Sequence, residues 1–290
     1  MGTATDISSS FANRAEPLGD ALPPPYSEHD PQTAAEAPKY ETPTYTESTS
    51  ISATTKLPPV MNGYFQWKIT STFYLGPTAE EKLYAVSTPV AFLNSKPSVV
   101  LHDGPTNKHP IMATARGDKW GRRRPIAITL PPRPGSQHKH DIVVQVVPGG
   151  SLKHISPTYT FETSVGPKGT TPESFEWRKS HGNETKELAG HSHGWKLVRL
   201  APPVNSSVGG SRKERDCGYT SDGLEVVAII AHNASWSMTK GFRFAFLGVG
   251  LTGTMGENWE IVVVTSALQM WLIDVQSASA TTAATSAAAI

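Results

Sequence analysis

Trp259–Val275 reads WEIVVVTSALQMWLIDV, and between Glu260 and Asp274 lie thirteen uncharged residues. Drawn as a helix, this stretch is apolar around its whole circumference instead of along one stripe, so it must be enclosed on every side. Thirteen residues fall short of the about 20 that span a bilayer and suit a buried core helix better. The opening IVVVT would also fit a strand, but SALQMWL downstream extends the helical reading back to about Asn258. An enclosed helix needs a container, and the preceding sequence has to supply it.

From Met61 onward, short apolar runs recur between Gly, Pro, Asn and Asp clusters, and no 3.6-period segment interrupts them before Asn258. Strands are expected near Phe65–Ile69, Thr72–Tyr74, Leu83–Ala85, Ser98–His102, Ile111–Thr114 and Ala127–Leu130. Further strands are expected near Ile142–Val147, Tyr159–Glu162, Ser174–Arg178, Trp195–Leu200, Leu224–Ile230 and Phe242–Leu247. A dozen short strands separated by turn signals indicate an all-β sandwich or barrel. With the enclosed segment, the fold class is mainly β: a roughly twelve-stranded barrel around a C-terminal hydrophobic helix.

Working outward, residues 1–60 differ in kind. They hold no Trp, nine prolines and sixteen Ser or Thr, a composition that buries too little apolar area to offset chain entropy. The expected organisation is a disordered tail over 1–60, a barrel domain over 61–276 and a small-residue tail over 277–290. The formal net charge of +1 divides at the same place. Residues 1–60 carry three basic against eight acidic side chains, net −5, and the remainder carries 23 against 17, net +6. A near-neutral total argues against a protein that coats nucleic acid. One cysteine, Cys217, allows no intrachain disulfide, so an intracellular chain is expected, and a monomer is the expected state.

The tail contains Pro23-Pro24-Pro25-Tyr26, which fits the Pro-Pro-x-Tyr pattern bound by WW domains. A proline run already lies in the polyproline II conformation and loses little entropy on docking. Pro23 and Pro24 would fill the aromatic groove and Tyr26 a second pocket. The expected partner is a WW-domain protein, of which WW-bearing ubiquitin ligases are the natural class.

In the body, Trp177-Arg178 and Trp195-Lys196 place Trp beside a basic residue, and a run from Gly223-Leu224-Glu225 through Phe244, Gly248, Gly250 and Gly256 leads to Trp259. On these features the segment 61–276 resembles the tubby-like C-terminal domain superfamily, which includes LURP-one-related proteins and phospholipid scramblases, with the nearest likeness to fungal members. The resemblance implies a barrel around a central helix and, for some relatives, phospholipid or phosphoinositide handling at a membrane.

Arg116, Lys119, Arg122, Arg123, Arg124, Arg133 and Lys139 against Asp118 net +6 within 24 residues. Guanidinium forks suit phosphate oxygens, and Trp120 is placed to sit at a headgroup boundary. Lys119, Arg122, Arg123 and Arg124 are therefore the expected anion- and lipid-binding residues. Gly248-Val249-Gly250-Leu251-Thr252-Gly253 matches G-x-G-x-x-G, but a dinucleotide fold needs another parallel strand after the helix, and the sequence that follows is SASATTAATSAAAI. The glycines are expected to turn the chain into the barrel axis, with no cofactor. His138-x-His140 and His191-x-His193 lie in Gly- and Ser-rich turns and are expected to be exposed loop histidines, with no metal. No nucleophile elbow, Walker loop or His-Glu-x-x-His is present, and no catalytic residue is assigned.

The combined expectation is a non-enzymatic cytoplasmic adaptor, peripheral at a membrane without a transmembrane segment, whose barrel contacts anionic phospholipid and whose tail recruits a WW-domain partner. Two alternatives remain at this level. One is an enzyme or small-ligand carrier using the glycine-rich turn or the barrel mouth, and the other is a scaffold with no ligand.

Overall fold

The structure is a computed structural model, and it describes residues 56–65, 71–89, 96–117, 124–133, 139–149, 157–189, 193–201, 218–233 and 240–287, with side chains as far as 278. Twelve strands close into one antiparallel barrel: β1 (Val60–Tyr64), β2 (Thr72–Gly76), β3 (Tyr84–Ser87), β4 (Val99–His102), β5 (Ile111–Arg116) and β6 (Ile126–Leu130), followed by β7 (Ile142–Gly149), β8 (Thr158–Val165), β9 (Thr171–Ser180), β10 (Gly194–Arg199), β11 (Val226–His232) and β12 (Lys240–Phe246). Neighbours in sequence are neighbours in the wall, and β12 closes onto β1 in the register Val60↔Ala245 and Met61↔Phe244. Closure removes the exposed sheet edges that an open sheet of this size would leave.

Strict antiparallel alternation sorts the connections. Those that follow odd-numbered strands lie at one rim and those that follow even-numbered strands at the other. A short helix, α1 (Asn183–Ala189), lies in the β9–β10 connection, and the long helix α2 (Glu257–Ala287) follows β12. Helix α2 starts at the rim where Arg133, just beyond β6, bonds Glu257 at 2.8 Å. It leaves at the opposite rim, where Asp274 meets the ends of β9, β10 and β11. These are termed the lower and the upper rim.

The enclosure expected from the sequence is complete. Every residue from Trp259 to Trp271 is buried, polar Glu260, Thr265, Ser266 and Gln269 included. The helix packs into alternate inward residues of the strands, among them Ile126 and Ile128, Phe175 and Trp177, Trp195 and Leu197, and Phe242, Phe244 and Phe246. Phe65, Phe73, Phe242 and Trp271 stack near the upper rim with neighbouring centroids 4.9 to 5.9 Å apart. Two of the polar helix groups are met from the wall: Trp177 Nε1–H donates to Ser266 Oγ at 2.9 Å, and Ser98 Oγ lies 2.5 Å from Gln269 Oε1. A gap between helix and wall, lined by Met61, Leu75, Phe242, Phe244 and Leu268 among others, has no room for a water molecule. By length and composition Glu257–Ala278 could cross a membrane, but here the wall takes up its apolar surface.

Strand β11 is buried on both faces, which is why VVAII runs unbroken instead of alternating. Its outer side forms a second small apolar cluster of Val226, Ile229 and Ala245, against which Leu188 of α1 packs. Arg243 Nη1 donates to Leu188 O at 3.2 Å and ties the end of α1 to β12.

The sequence reading expected no helix before Asn258, where α1 stands, and three of its boundaries differ in ways that bear on the rims and the helix. The first strand is Val60–Tyr64, ahead of the expected Phe65–Ile69, of which 66–69 lie outside the described residues. The displaced signal is Asn62-Gly63, a pair that ordinarily marks a turn. Here Asn62 Nδ2 donates to Pro77 O at 2.8 Å, and Gly63 leaves room for the Phe242 ring, which a Cβ would meet at 2.4 Å. A register shift between Gly63 and Tyr64 absorbs the irregularity. Second, the body begins before Met61, because Leu57 is buried in the core and Lys56 and Leu57 bond the helix. Third, helix α2 continues to Ala287 through residues read from sequence as a tail.

Candidate functional site

The upper rim gathers the richest set of chemically competent side chains among the described residues. Period-two alternation explains how. In β9 the inward series is Phe175, Trp177, Lys179 and then His181 just past the strand. Register places Lys179 opposite Trp195 on β10 and Ile230 opposite Trp195 on β11. One inward step further, His181 just past β9, His193 just ahead of β10 and His232 at the end of β11 form a row. His193 O accepts the His232 backbone N–H at 2.9 Å, and neighbouring imidazole centroids lie 5.5 and 5.0 Å apart.

Asp274 of α2 rises into the middle of this row. Its Oδ1 accepts from Lys179 Nζ at 2.6 Å, and its Oδ2 accepts from Trp195 Nε1 at 2.8 Å. His232 Nε2 is 3.2 Å and His193 Nε2 3.9 Å from the same Oδ2. Lys179 Nζ also lies 4.8 Å from the centroid of the Trp195 ring. Burial by itself would raise the Asp274 carboxyl, but hydrogen bonds from His232 and Lys179, the Lys179 charge and the Trp195 N–H outweigh it and hold the group below the usual carboxylate range. An ionised carboxylate only accepts, so His232 Nε2 is the donor in that contact. Burial, reinforced by the neighbouring His232 and Lys179, pushes the His193 imidazole below its ordinary value.

The lower rim holds a second buried acid. Glu260 is 1 % exposed, and its Oε2 accepts the backbone N–H groups of Lys56 and Leu57 at 3.0 and 3.2 Å. Its Oε1 has no partner. Burial raises its pKa to about 7 despite the two N–H donors, with the Glu257 charge adding to the shift. Around it run the surface pairs Lys56–Asp103 and Arg133–Glu257, each at 2.8 Å.

The glycine-rich turn is also at the lower rim, and it is structural. Gly248–Leu251 forms a single 3₁₀ turn, Gly248 and Gly253 have φ of +49° and +70°, and α2 begins four residues after Gly253. The Val249 N–H that a phosphate would need is taken by Glu225 Oε1 at 2.8 Å. A Cβ on Gly250 would lie 2.4 Å from Val227 O, so glycine there permits close packing of the turn against β11. No pair of described strands is parallel, and the βαβ context of a dinucleotide fingerprint does not exist.

The basic cluster read along the chain divides in space. Arg116 ends β5 and Arg124 precedes β6, and both are exposed at the upper rim. Arg133 and Lys139 follow β6 at the lower rim, a strand of five residues or about 17 Å away, and Arg133 is committed to Glu257 and Asn258. The four described members of the cluster therefore fall into two pairs, Arg116 with Arg124 at the upper rim and Arg133 with Lys139 at the lower. Lys119, Arg122 and Arg123 lie outside the described residues, as do Trp120, Cys217, His138, His191 and the tail motif Pro23, Pro24 and Tyr26. His140 is exposed as expected. His193, expected in a loop, is half-exposed but joins a constellation that its i,i+2 neighbour could not have disclosed. Sequence reasoning singled out neither His181, His232 nor Lys179. Comparison of the chain with protein-family models, with curated proteins and with solved structures gives no match.

Proposed function

We propose that the protein is a non-enzymatic adaptor whose barrel meets anionic phospholipid with its upper rim and whose N-terminal tail recruits a WW-domain partner. The observation that carries the first part is the filling of the barrel by its own helix. With α2 buried along Trp259–Trp271, a partner is met at the outer surface or a rim instead of in a lumen. Arg116 and Arg124 are exposed at the rim where α2 leaves, and in sequence they flank Lys119, Arg122 and Arg123. The barrel around a central helix also agrees with the resemblance to tubby-like and scramblase-like domains, some of which handle phospholipids. In this reading the protein is cytoplasmic and peripheral at the membrane.

The test is sedimentation of the full chain with phosphatidylcholine vesicles containing a phosphoinositide. Each basic residue near an anionic surface contributes about 1 kcal/mol, so Arg122/Arg123/Arg124→Ala should weaken binding roughly 100-fold. Equal binding by wild type and variant would remove the lipid part. The tail is tested separately by pull-down with a WW domain. Tyr26→Ala should abolish capture, and undiminished capture would remove the WW part.

A further inference from the structure

We propose that His193, His232 and Asp274 form a binding site for one divalent transition-metal ion of the zinc class at the upper rim. One ligand atom from each residue lies within 4.8 Å of the others. Asp274 Oδ2 is 3.2 Å from His232 Nε2 and 3.9 Å from His193 Nε2. Ligands bound tetrahedrally at about 2.0–2.2 Å from zinc stand roughly 3.3 Å apart, so sub-ångström to ångström-scale side-chain movement completes the set. Two imidazoles and a carboxylate are a donor set that zinc accepts with a fourth position open. Here that position faces solvent, because half of the His193 side chain is exposed.

The surroundings supply what such a centre needs beyond its ligands. Lys179 holds Oδ1 and Trp195 N–H holds Oδ2, fixing the carboxylate and leaving a lone-pair direction on Oδ2 for the ion. The Lys179 charge opposes a cation, but it is bonded on the far oxygen and offsets the carboxylate only in part. His232 becomes a ligand by moving its ring proton to Nδ1, which releases the hydrogen bond to Oδ2. The three ligands come from the residue just ahead of β10, from β11 and from α2, so the ion would pin the exit of the core helix to the wall.

Calorimetric titration of the metal-free full chain with Zn²⁺ tests the site, with His193→Gln and His232→Gln as variants and exposed His140→Gln as the control at the other rim. The expected result is one equivalent bound, weakened at least tenfold by either variant and unchanged by the control, with excess Mg²⁺ failing to compete. Co²⁺ should give the visible bands of a four- or five-coordinate ion, lost in His193→Gln. His193 is half-exposed, so its variant decides the matter if His232→Gln does not fold. No Zn²⁺ uptake by wild type, or a change of less than about threefold in His193→Gln, overturns the proposal. These outcomes are independent of vesicle binding.

Discussion

The two rims present the same residue class in opposite states. Glu260 and Asp274 both sit on α2, both are largely buried, and burial pushes both toward the neutral acid. Glu260 meets two backbone N–H groups and a neighbouring carboxylate, and its pKa stays up at about 7. Asp274 meets an ammonium, an imidazole and an indole N–H, and its pKa is lowered. Desolvation is common to the two sites, so the partners decide the charge. The lower rim closes the barrel on a strand-to-helix turn, whereas the upper rim keeps a largely buried negative charge surrounded by hydrogen-bond donors.

The largest effect is expected from Asp274→Ala, which leaves Lys179 and the Trp195 N–H without their acceptor. Breaking one side of a buried ion pair costs about 3–5 kcal/mol, so chemical denaturation at pH 7 should show a loss of that order. A loss below about 1 kcal/mol would mean that the upper-rim network is slack and the contrast between the rims is false. At the lower rim, Gly250→Ala drives a Cβ toward Val227 O and the Trp259 ring. Overpacking of this kind costs about 1–3 kcal/mol, which a thermal melt would register as a lower Tm.

The smallest effect carries the sign that distinguishes the rims. The folded-state pKa of Glu260 lies above its ordinary 4.5, so the folded chain holds a proton that the unfolded chain has released between pH 4.5 and 7. Its contribution to stability is therefore full below pH 4.5 and is lost as pH rises through about 7. Glu260→Gln keeps an acceptor for Lys56 and Leu57 and removes the titration. Above pH 7 it should be more stable than wild type by on the order of 1 kcal/mol after solvent screening, and the advantage should vanish at pH 4.5. Denaturation curves at the two pH values measure it, and a variant less stable at both would show that Glu260 is held as a carboxylate.

Most of the fold could be read from the chain because its signals are local. Alternation within β6, β8 and β12 marks strands, and the uniformly apolar Ile261–Val264 marks a segment with no solvent side. The first strand was harder because Asn62-Gly63 carries a turn signature that packing against Phe242 overrides. The upper-rim site was illegible for a different reason. His232, Trp195 and Lys179 are 42, 79 and 95 residues from Asp274, and barrel closure alone brings them together. The usable signal was the continuation of inward alternation past the strand ends, Trp177-x-Lys179-x-His181 and His193-x-Trp195, which places charged groups on an otherwise apolar face. Charge counted along the chain misleads in the complementary way, since it joins Arg124 to Arg133 across a strand that separates them.

The most direct measurement is a side-by-side vesicle sedimentation of two full-length variants, Arg122/Arg123/Arg124→Ala and Lys139→Ala, on phosphoinositide-containing phosphatidylcholine. Lys139 is exposed beyond β6 at the lower rim, so it controls for loss of positive charge in general. The expected result is a large loss of binding for the triple variant and wild-type binding for Lys139→Ala. Equal binding by both variants, or an equal loss per charge removed from either rim, would contradict the assignment of the upper rim as the binding face.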